Sequence, residues 1–238
     1  MSQGQIAMVV GVGGGLGAAL GRRFAQAGMK LALVARGDKI TAPLASEIND
    51  AGGTAIAYGA DTTDEAAVEA MFDQVRSDLG GPDLVAFNAG AFMRTSVLDA
   101  TAADFERSWR VSCYGGFLVG RAAARGMAAR GSGTILFTSA TAALRGSANF
   151  INLAVGKFGL RALAQSMARE LGPQGVHVAN MIIDGQINGP AHADMAEEIA
   201  VCKLLHPNAI AETYYQIHLQ DRSAWTQELD LRPAVEKF

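Results

Sequence analysis

The chain has 238 residues, half of them hydrophobic, and a formal net charge of −3. This length and composition favour one large domain, and the acidic balance argues against nucleic acid or an anionic membrane surface as partner. No apolar run approaches the roughly 20 residues that span a bilayer, and the N-terminus lacks a signal-peptide pattern, so we expect a cytoplasmic protein without membrane contact.

Short apolar runs alternate with segments of helical periodicity. Strands are predicted over residues 5–11, 30–35, 54–59, 83–88, 134–139 and 176–183. Helices are predicted over residues 16–27, 41–51, 64–79, 102–130, 148–171, 195–205 and 208–219. Apolar strands joined by helical crossovers imply an α/β fold, a doubly wound, Rossmann-like parallel sheet with helices on both faces. No linker or repeat divides the chain, so residues 1–238 are predicted to form one domain.

A glycine-rich turn follows the first predicted strand and opens the first predicted helix. Glycines permit a tight turn and let the backbone approach a ligand closely. The N-terminus of a helix favours a pyrophosphate, and the position between strand and helix is the context that confirms such a motif. We therefore predict dinucleotide binding by Gly11, Gly13, Gly14, Gly15, Leu16 and Gly17.

The end of the second predicted strand bears on the choice between NADP and NAD. Ala35 takes the place where an acid would bind the adenine ribose hydroxyls, and Arg36 follows it. An arginine fork can bond two oxygens of a 2′-phosphate, so we predict NADP, with NAD as the alternative. Asp38 keeps the alternative open, because it is near enough in sequence to repel a phosphate or to pair with Arg36.

The order and spacing of several short motifs resemble those of the short-chain dehydrogenase/reductase family, over nearly the whole chain. Each motif is short, but their joint order is specific. In chain order the matches are the TGxxxGxG loop (Gly11, Gly15, Gly17), the acid that contacts adenine (Asp61), the NAG turn (Asn88, Ala89, Gly90), the lysine of YxxxK (Lys157) and the PG turn after the sixth strand (Gly185, with Asp184 in place of proline).

The resemblance implies an oxidoreductase that binds a nicotinamide dinucleotide and acts on a small carbonyl compound or alcohol. It implies that Lys157 bonds the nicotinamide ribose and that backbone groups near Gly185 and Ile187 meet the nicotinamide carboxamide. Family members usually pair through their two long middle helices, so a homodimer or homotetramer is expected. No metal site is expected, because Cys113 and Cys202 lack a metal-ligand spacing and the four histidines form no HExxH pattern.

The family's catalytic centre is a Ser-Tyr-Lys group with a supporting asparagine, and this chain departs from it. Leu153 occupies the place of the tyrosine, four residues before Lys157. In the best register Ala140 occupies the place of the serine, with Ser139 one residue earlier, and Ser112 replaces the asparagine. Tyrosine and lysine four apart share a helix face, where the ammonium favours the phenolate. Leucine cannot move a proton, so the usual chemistry lacks its acid.

Two interpretations remain open. In the first, hydride chemistry proceeds with water or another group as proton donor; the candidates are Asp184, His192, Tyr114 and Ser139, and Lys157 and Ser112 complete the candidate catalytic set. In the second, the chain binds NADP without turnover, as a sensor or scaffold subunit. Asn149, one turn before Leu153, either faces the site or caps the helix.

The last part of the chain is expected to cover the site. Residues from about 185 to 205 occupy the place of the family's substrate loop, where Met195, Ile199, Leu204 and Leu205 either line an apolar pocket or pack as a short amphipathic helix. The tail, from about 221 to 238, has apolar residues too sparse for a core of its own. We interpret it as a segment that packs across a subunit boundary.

Overall fold

The computed structural model describes residues 2, 4–190, 195, 199 and 203–235. Within them seven strands form one parallel sheet in the order β3-β2-β1-β4-β5-β6-β7. The sheet confirms the predicted α/β, doubly wound architecture. The strands are β1 (Ile6–Val10), β2 (Lys30–Ala35), β3 (Thr54–Gly59), β4 (Leu84–Phe87), β5 (Gly133–Ala140), β6 (Val176–Ile183) and β7 (Glu228–Leu231).

Helices cover both faces of the sheet. They are α1 (Leu16–Gln26), α2 (Asp38–Asp50), α3 (Glu65–Asp78), α4 (Ala102–Trp109), α5 (Gly115–Arg130), α6 (Ile151–Leu171) and α7 (Pro207–His218). Alternate residues of β1 enter different cores, since Val9 joins the cluster beneath α1, α2 and α7, while Val10 joins the one beneath α3, α5 and α6. None of these described helices is long and apolar enough to cross a membrane.

The order of the strands fixes where a ligand can bind. The chain winds outward from β1 to β3 on one side and from β4 to β7 on the other, so the direction of winding reverses between β1 and β4. In open parallel sheets the ligand crevice lies outside the carboxyl ends of the strands at such a reversal. The predicted glycine turn follows β1 and therefore lies at this crevice.

Two helix predictions need correction. The predicted helix over residues 102–130 contains one turn of π-helix, Arg110–Tyr114, between α4 and α5. The helix predicted from residue 148 begins at Ile151, and Phe150 is its N-terminal cap residue. Asn149 lies before that cap in a left-handed conformation with φ of 67°, exposed to solvent. Asparagine tolerates this conformation, so Asn149 neither caps α6 nor faces the site from it.

The tail, expected to have no core of its own, packs against the core of the rest of the chain. Residues 228–231 form β7, which pairs in parallel with β6 and was not predicted. Leu229 and Leu231 pack against the core of their own chain, and the Trp225 ring stacks on His177 with centroids 4.8 Å apart. Two alternating leucines suffice for a strand when an existing sheet edge supplies the other half of the contact.

The predicted helix over residues 195–205 falls largely outside the described residues. At its end, Leu205 forms an isolated parallel bridge with Ile187, and the Leu205 N–H donates to the Gln186 carbonyl at 2.8 Å. The last residue of the predicted helix is therefore extended, and it holds the segment after β6 in place.

Candidate active site

The glycine turn after β1 is held against the turn after β4. Gly11 has φ of +90°, and a β-carbon there would lie 2.4 Å from the amide nitrogen of Ala89. The Asn88 Nδ2 donates to the Gly11 carbonyl at 2.9 Å. A β-carbon at Gly17 would lie 2.8 Å from the Cα of Val12. Gly11 and Gly17 are therefore required by backbone contacts, and Asn88 joins the two strand ends.

The other glycines of the turn are open or meet the segment after β6. A β-carbon at Gly13 would have nothing within 4 Å. No side chain caps α1 at Gly15, and Leu16 directs its side chain into the core, so this residue offers only its backbone. At Gly14 a β-carbon would lie 3.1 Å from the Pro190 ring. The uncapped helix end carries a partial positive charge that suits a pyrophosphate.

A cavity of about 580 Å³ lies at the carboxyl ends of β1 to β4. Of the predicted cofactor residues it brings together Gly11, Gly13, Arg36, Asp61, Asn88, Ala89 and Gly90. Asp61 lines it and accepts hydrogen bonds from the Thr63 backbone and hydroxyl, at 2.9 and 2.8 Å. These bonds, with smaller contributions from the Arg36 and Arg110 charges, hold the pKa of Asp61 below its usual range. Among the described residues Arg36 forms no ion pair, so Asp38 does not neutralise it.

Lys157 lies behind the turn after β4, whose residue Gly90 lines this cavity. It is buried on α6, and its Nζ donates to the Thr138 carbonyl at 2.7 Å. A β-carbon at Gly90 would lie 3.5 Å from the same Nζ, so the ammonium faces the turn after β4. Burial lowers the pKa of Lys157 to about 8. The structure thus places the Lys157 ammonium beside Gly90.

Leu153 lies one turn before Lys157 and borders a second cavity of about 730 Å³. Its side chain is 9% exposed and packs with Ala142 and Ala154, with Ala140 and Phe150 at the edge of the cluster. The place of the family's tyrosine is therefore filled by an apolar contact.

Ser139 and Ser112 do not border the second cavity. The Ser139 hydroxyl is buried on β5, and the Ser112 hydroxyl is buried in the π-turn, where a β-carbon at Gly156 would lie 2.9 Å from the Ser112 Cβ. Neither hydroxyl has a hydrogen-bond partner among the described residues. Their assignment as catalytic residues therefore lacks geometric support.

Two other candidate donors do not gain support either. The Tyr114 ring stacks on Trp109 with centroids 5.9 Å apart, and Arg110 lies over it, so it packs within the helix. His192 lies outside the described residues. Tyr114 does not border the second cavity.

Asp184 does border the second cavity, and it is held by two partners. It accepts a hydrogen bond from the Thr141 hydroxyl, and its Oδ2 lies 3.2 Å from Arg232 Nη1. Its backbone N–H donates to the Leu231 carbonyl at 2.7 Å. Both carboxylate oxygens act as acceptors in this arrangement, and the catalytic role of Asp184 stays a prediction. Sequence reasoning missed Thr141 and Arg232, which no motif marks and which only the β5-β6-β7 pairing brings together.

The segment after β6 runs between the two cavities. Gly185 has φ of +148°, and a β-carbon there would lie 2.9 Å from the Pro233 ring, so the segment packs on the tail. The bridge to Leu205 uses backbone groups of Gln186 and Asn188. In a parallel bridge the central residue directs its own N–H and C=O to the opposite side, which leaves those of Ile187 for another partner.

Comparison with known proteins identifies close sequence relatives. Residues 5–200 match the family described as short chain dehydrogenase. A short-chain dehydrogenase/reductase of Armillaria gallica is 35% identical over 196 residues, which cover 81% of this chain and 74% of that protein. Sorbitol-6-phosphate 2-dehydrogenase of Escherichia coli strain K12 is 31% identical over 214 residues, covering 89% of this chain and 82% of that protein.

Solved structures share the whole architecture. A short-chain dehydrogenase from Rhodopseudomonas palustris superposes with a TM-score of 0.85 at 37% identity, covering 97% of this chain and 99% of that one. A metagenomic short-chain oxidoreductase in complex with NADP superposes with a TM-score of 0.84 at 25% identity, covering 98% of this chain and 99% of that one.

Proposed function

The chain belongs to the short-chain dehydrogenase/reductase family and is an oxidoreductase, and from this premise we propose that it uses NADP(H) to interconvert a small alcohol and its carbonyl compound. The observation that carries the proposal is the Lys157 ammonium, buried beside Gly90 of the first cavity with the Thr138 carbonyl as its acceptor. A buried charge is costly unless it is hydrogen-bonded, and the hydroxyls of a nicotinamide ribose would satisfy its remaining N–H groups.

The residues of the first cavity fit a nicotinamide dinucleotide. Gly11 and Gly17 allow the close backbone packing of the turn, and the helix end at Gly15 suits the pyrophosphate. Asp61 would receive the adenine amino group, and the Ile187 backbone would meet the carboxamide. When bound, such a cofactor supplies or accepts a hydride. The protein's part is then to hold the substrate and move the proton.

The preference for NADP is supported by charge. Arg36 and Lys39 both border the first cavity, at the end of β2 and the start of α2. Two cations suit a 2′-phosphate, and the arginine fork can bond two of its oxygens. The metagenomic relative named above was solved with NADP. Asp38 between the two cations opposes this preference, so the titration must include NADH as the competitor.

The size and lining of the second cavity support a small organic substrate. About 730 Å³ lies within the range of small-molecule sites. Its apolar side includes Phe92, Phe150 and Leu204, and its polar side includes Thr141 and Asp184. We therefore place the reacting alcohol or carbonyl group at the polar side, next to Leu153.

A non-catalytic role as NADP sensor or scaffold subunit is the second candidate. It is favoured by the apolar packing of Leu153 in the place of the family's proton donor. A sensor would bind the dinucleotide and respond in shape or assembly without consuming it. The two candidates therefore differ in turnover but not in binding.

The test separates binding from turnover. Fluorescence titration with NADPH and NADH is expected to show binding of both, tighter for NADPH; a folded protein that ignores both dinucleotides would overturn the proposal. Absorbance assays with NADP⁺ and a panel of alcohols, and with NADPH and a panel of carbonyls, are expected to show turnover in wild type. Binding without turnover across both panels would favour the sensor.

Introducing the family's tyrosine at residue 153 extends the turnover assay. In the Leu153→Tyr variant we expect faster turnover by about 10²-fold, the typical contribution of one general acid or base. Leu153→Phe is the matched control, since it adds the ring without the hydroxyl, and its turnover should not rise. Equal rates in the two aromatic variants would show that Lys157 does not activate a phenol at this position.

The expected homodimer or homotetramer is supported by exposed apolar side chains on the middle helices. Trp109, Phe117, Val155 and Phe158 lie on α4, α5 and α6 and are each more than a third exposed. We propose that these helices meet their copies in the assembled protein. Light scattering on a Phe158→Glu variant should give a smaller particle than wild type, and an unchanged mass would contradict this arrangement.

A further inference from the structure

We infer that Thr141 and Asp184 form a proton-accepting pair, which takes the hydroxyl proton of an alcohol substrate and replaces the tyrosine that Leu153 displaces. This inference rests on the proposed function and deepens it. It assigns the proton transfer from the substrate to two residues outside the family's catalytic pattern. It also assigns alcohol oxidation as the direction of the reaction.

The sheet places the two residues side by side. Ala140 ends β5 and is the register partner of Ile183, which ends β6. Thr141 and Asp184 each follow by one residue, so they extend the same register into the second cavity. Both border that cavity together with Leu153. The pair therefore lies where the reacting group of the substrate is proposed to bind.

The hydrogen bond between them has a fixed direction. An ionised carboxylate can only accept, so the Thr141 hydroxyl donates to Asp184 Oδ1. The lone pairs of the Thr141 oxygen remain to accept a hydrogen bond from a ligand. An alcohol can donate to this oxygen, whereas a carbonyl compound cannot. The pair as built is therefore complementary to an alcohol.

Arg232 forms an ion pair with Asp184. Its Nη1 lies 3.2 Å from Asp184 Oδ2, and the Asp184 side chain is 8% exposed. Of the described residues that border the cavity, Asp184 is the one carboxylate. The ion pair also fixes the orientation of the carboxylate, with Oδ1 directed to Thr141.

The resulting step balances in atoms and electrons. The carbinol carbon of the alcohol loses its hydrogen as a hydride, which an oxidised pyridine dinucleotide accepts. The alcohol O–H bond breaks and its proton passes to the Thr141 oxygen. The original Thr141 proton passes to Asp184, which becomes neutral, and the C–O bond becomes a carbonyl. Product release opens the cavity to water, and Asp184 returns its proton to solvent.

The experiment first identifies an alcohol that the wild type oxidises with NADP⁺. It then compares the oxidation of that alcohol by three variants. Thr141→Val removes the hydroxyl at nearly constant volume, and kcat should fall by about 10²-fold. Thr141→Ser restores a hydroxyl and should keep kcat within about threefold. In Asp184→Asn the amide oxygen still accepts from Thr141 but cannot take a proton. Its kcat should fall by about 10²-fold, with KM changed by less than about threefold.

A binding measurement distinguishes this chemistry from packing. Calorimetric titration of the alcohol into NADPH-loaded protein forms a complex that cannot react. Thr141→Val should weaken this binding about fivefold, as expected for the loss of one hydrogen bond, while Thr141→Ser and Asp184→Asn should bind like wild type. Melting temperatures of all three variants show whether each one folds.

Four outcomes would overturn the inference. They are an unchanged kcat in Thr141→Val, equal losses in the valine and serine variants, an unchanged kcat in Asp184→Asn, and a wild type that reduces carbonyls but oxidises no alcohol. In each of these the proposed function survives, because the wild type turns over. A wild type with no turnover in either direction would overturn the catalytic function and this inference together.

Discussion

The two cavities at the carboxyl ends of the strands are built in different ways. The first is formed by consecutive strand ends, and its critical contacts are between backbone atoms, such as those of Gly11 with Ala89. The second is formed by side chains from segments far apart in the chain, such as Phe92, Thr141 and Asp184. Backbone contacts leave little room for substitution, whereas side chains can be exchanged on an unchanged frame. The residues predicted to match the family's pattern, such as Gly11 and Asn88, accordingly border the first cavity, whereas Leu153, predicted to depart from it, borders the second.

The largest effect should follow from adding one methyl group to the first cavity. In Gly11→Ala the β-carbon would lie 2.4 Å from the Ala89 nitrogen, on a backbone with φ of +90°. Left-handed backbone and overpacking together cost about 3 kcal/mol or more. Urea unfolding should show that loss, and NADPH titration should show weakened or absent binding.

Gly13→Ala is the matched control in the same turn. A β-carbon at residue 13 would have nothing within 4 Å, so stability should change by less than about 0.5 kcal/mol. If Gly11→Ala were as stable as Gly13→Ala, the first cavity would be as tolerant as the second, and the contrast between them would fail.

Lys157 lies beside Gly90 of the first cavity and one helical turn after Leu153 of the second. Its burial should lower the stability of the fold. Burial lowers its pKa from 10.5 to about 8, which corresponds to about 3 kcal/mol of unfavourable free energy at neutral pH. Lys157→Met removes this cost but leaves the Thr138 carbonyl without its donor, so we expect the free energy of unfolding to rise by about 2 kcal/mol. NADPH binding should weaken, because the ribose loses its partner.

The pH dependence of stability gives an independent check on Lys157. Above pH 8 the folded lysine loses its proton while the unfolded lysine keeps it up to 10.5, so the stability of wild type should rise with pH. Burial raises the pKa of Tyr58 and Tyr214, so above pH 10 their ionisation in the unfolded chain should lower stability. The useful window is therefore pH 8 to 10. A Lys157→Met curve parallel to wild type there would show that the lysine is not desolvated.

The contrast between the cavities also explains which features could be predicted from the sequence. The glycine turn, Arg36, Asp61 and the turn at Asn88 each follow a strand that its apolar run reveals, so local pattern places them at one edge of the sheet. The pairing of Asp184 with Arg232 depends on β7, whose two leucines carry too weak a periodicity to mark a strand. Thr141 could be recognised as a site residue only from the register of β5 and β6, which places it beside Asp184.

The fold shows the same division between local and tertiary signals. Residues 30–35, 54–59 and 176–183 were predicted with the bounds that the structure has, because each run is apolar and bordered by helix or turn signals. The π-turn at residues 110–114 has no composition signal, since it arises where α4 and α5 pack on α6. The start of α6 was missed because Asn149 suits both a helix cap and a left-handed turn.

Substitution of Arg36 measures how much one side chain of the first cavity contributes to NADPH binding. In Arg36→Gln the 2′-phosphate of NADPH would lose a charge-assisted hydrogen bond, and we expect its Kd to rise about tenfold, at the lower end for an exposed arginine. The Kd for NADH should change by less than about twofold. Lys30→Gln is the control, because it removes the same charge from the other end of β2. Equal weakening of both dinucleotides would mean that Arg36 does not read the phosphate.

The smallest expected change in the free energy of unfolding is at Ser139, where the substitution should not destabilise the protein. Its hydroxyl is buried without a hydrogen-bond partner among the described residues, so Ser139→Ala should leave the free energy of unfolding unchanged or raise it by up to about 1 kcal/mol. Its neighbour Thr138 is the matched control on the same strand, since its hydroxyl accepts from the buried Tyr214 hydroxyl at 2.9 Å. Thr138→Val should destabilise by about 1–3 kcal/mol.

Turnover measurements distinguish a packing role of the buried Ser139 hydroxyl from a catalytic one. If Ser139 only fills space beside the second cavity, kcat and KM of Ser139→Ala should match those of wild type in the alcohol assay. A loss of kcat with unchanged stability would instead place this hydroxyl in the chemistry, because a residue that merely packs affects rate only through the folded fraction. The second cavity would then retain part of the family's centre one residue out of register, and its divergence would be smaller than the side chains at Leu153 and Ala140 indicate.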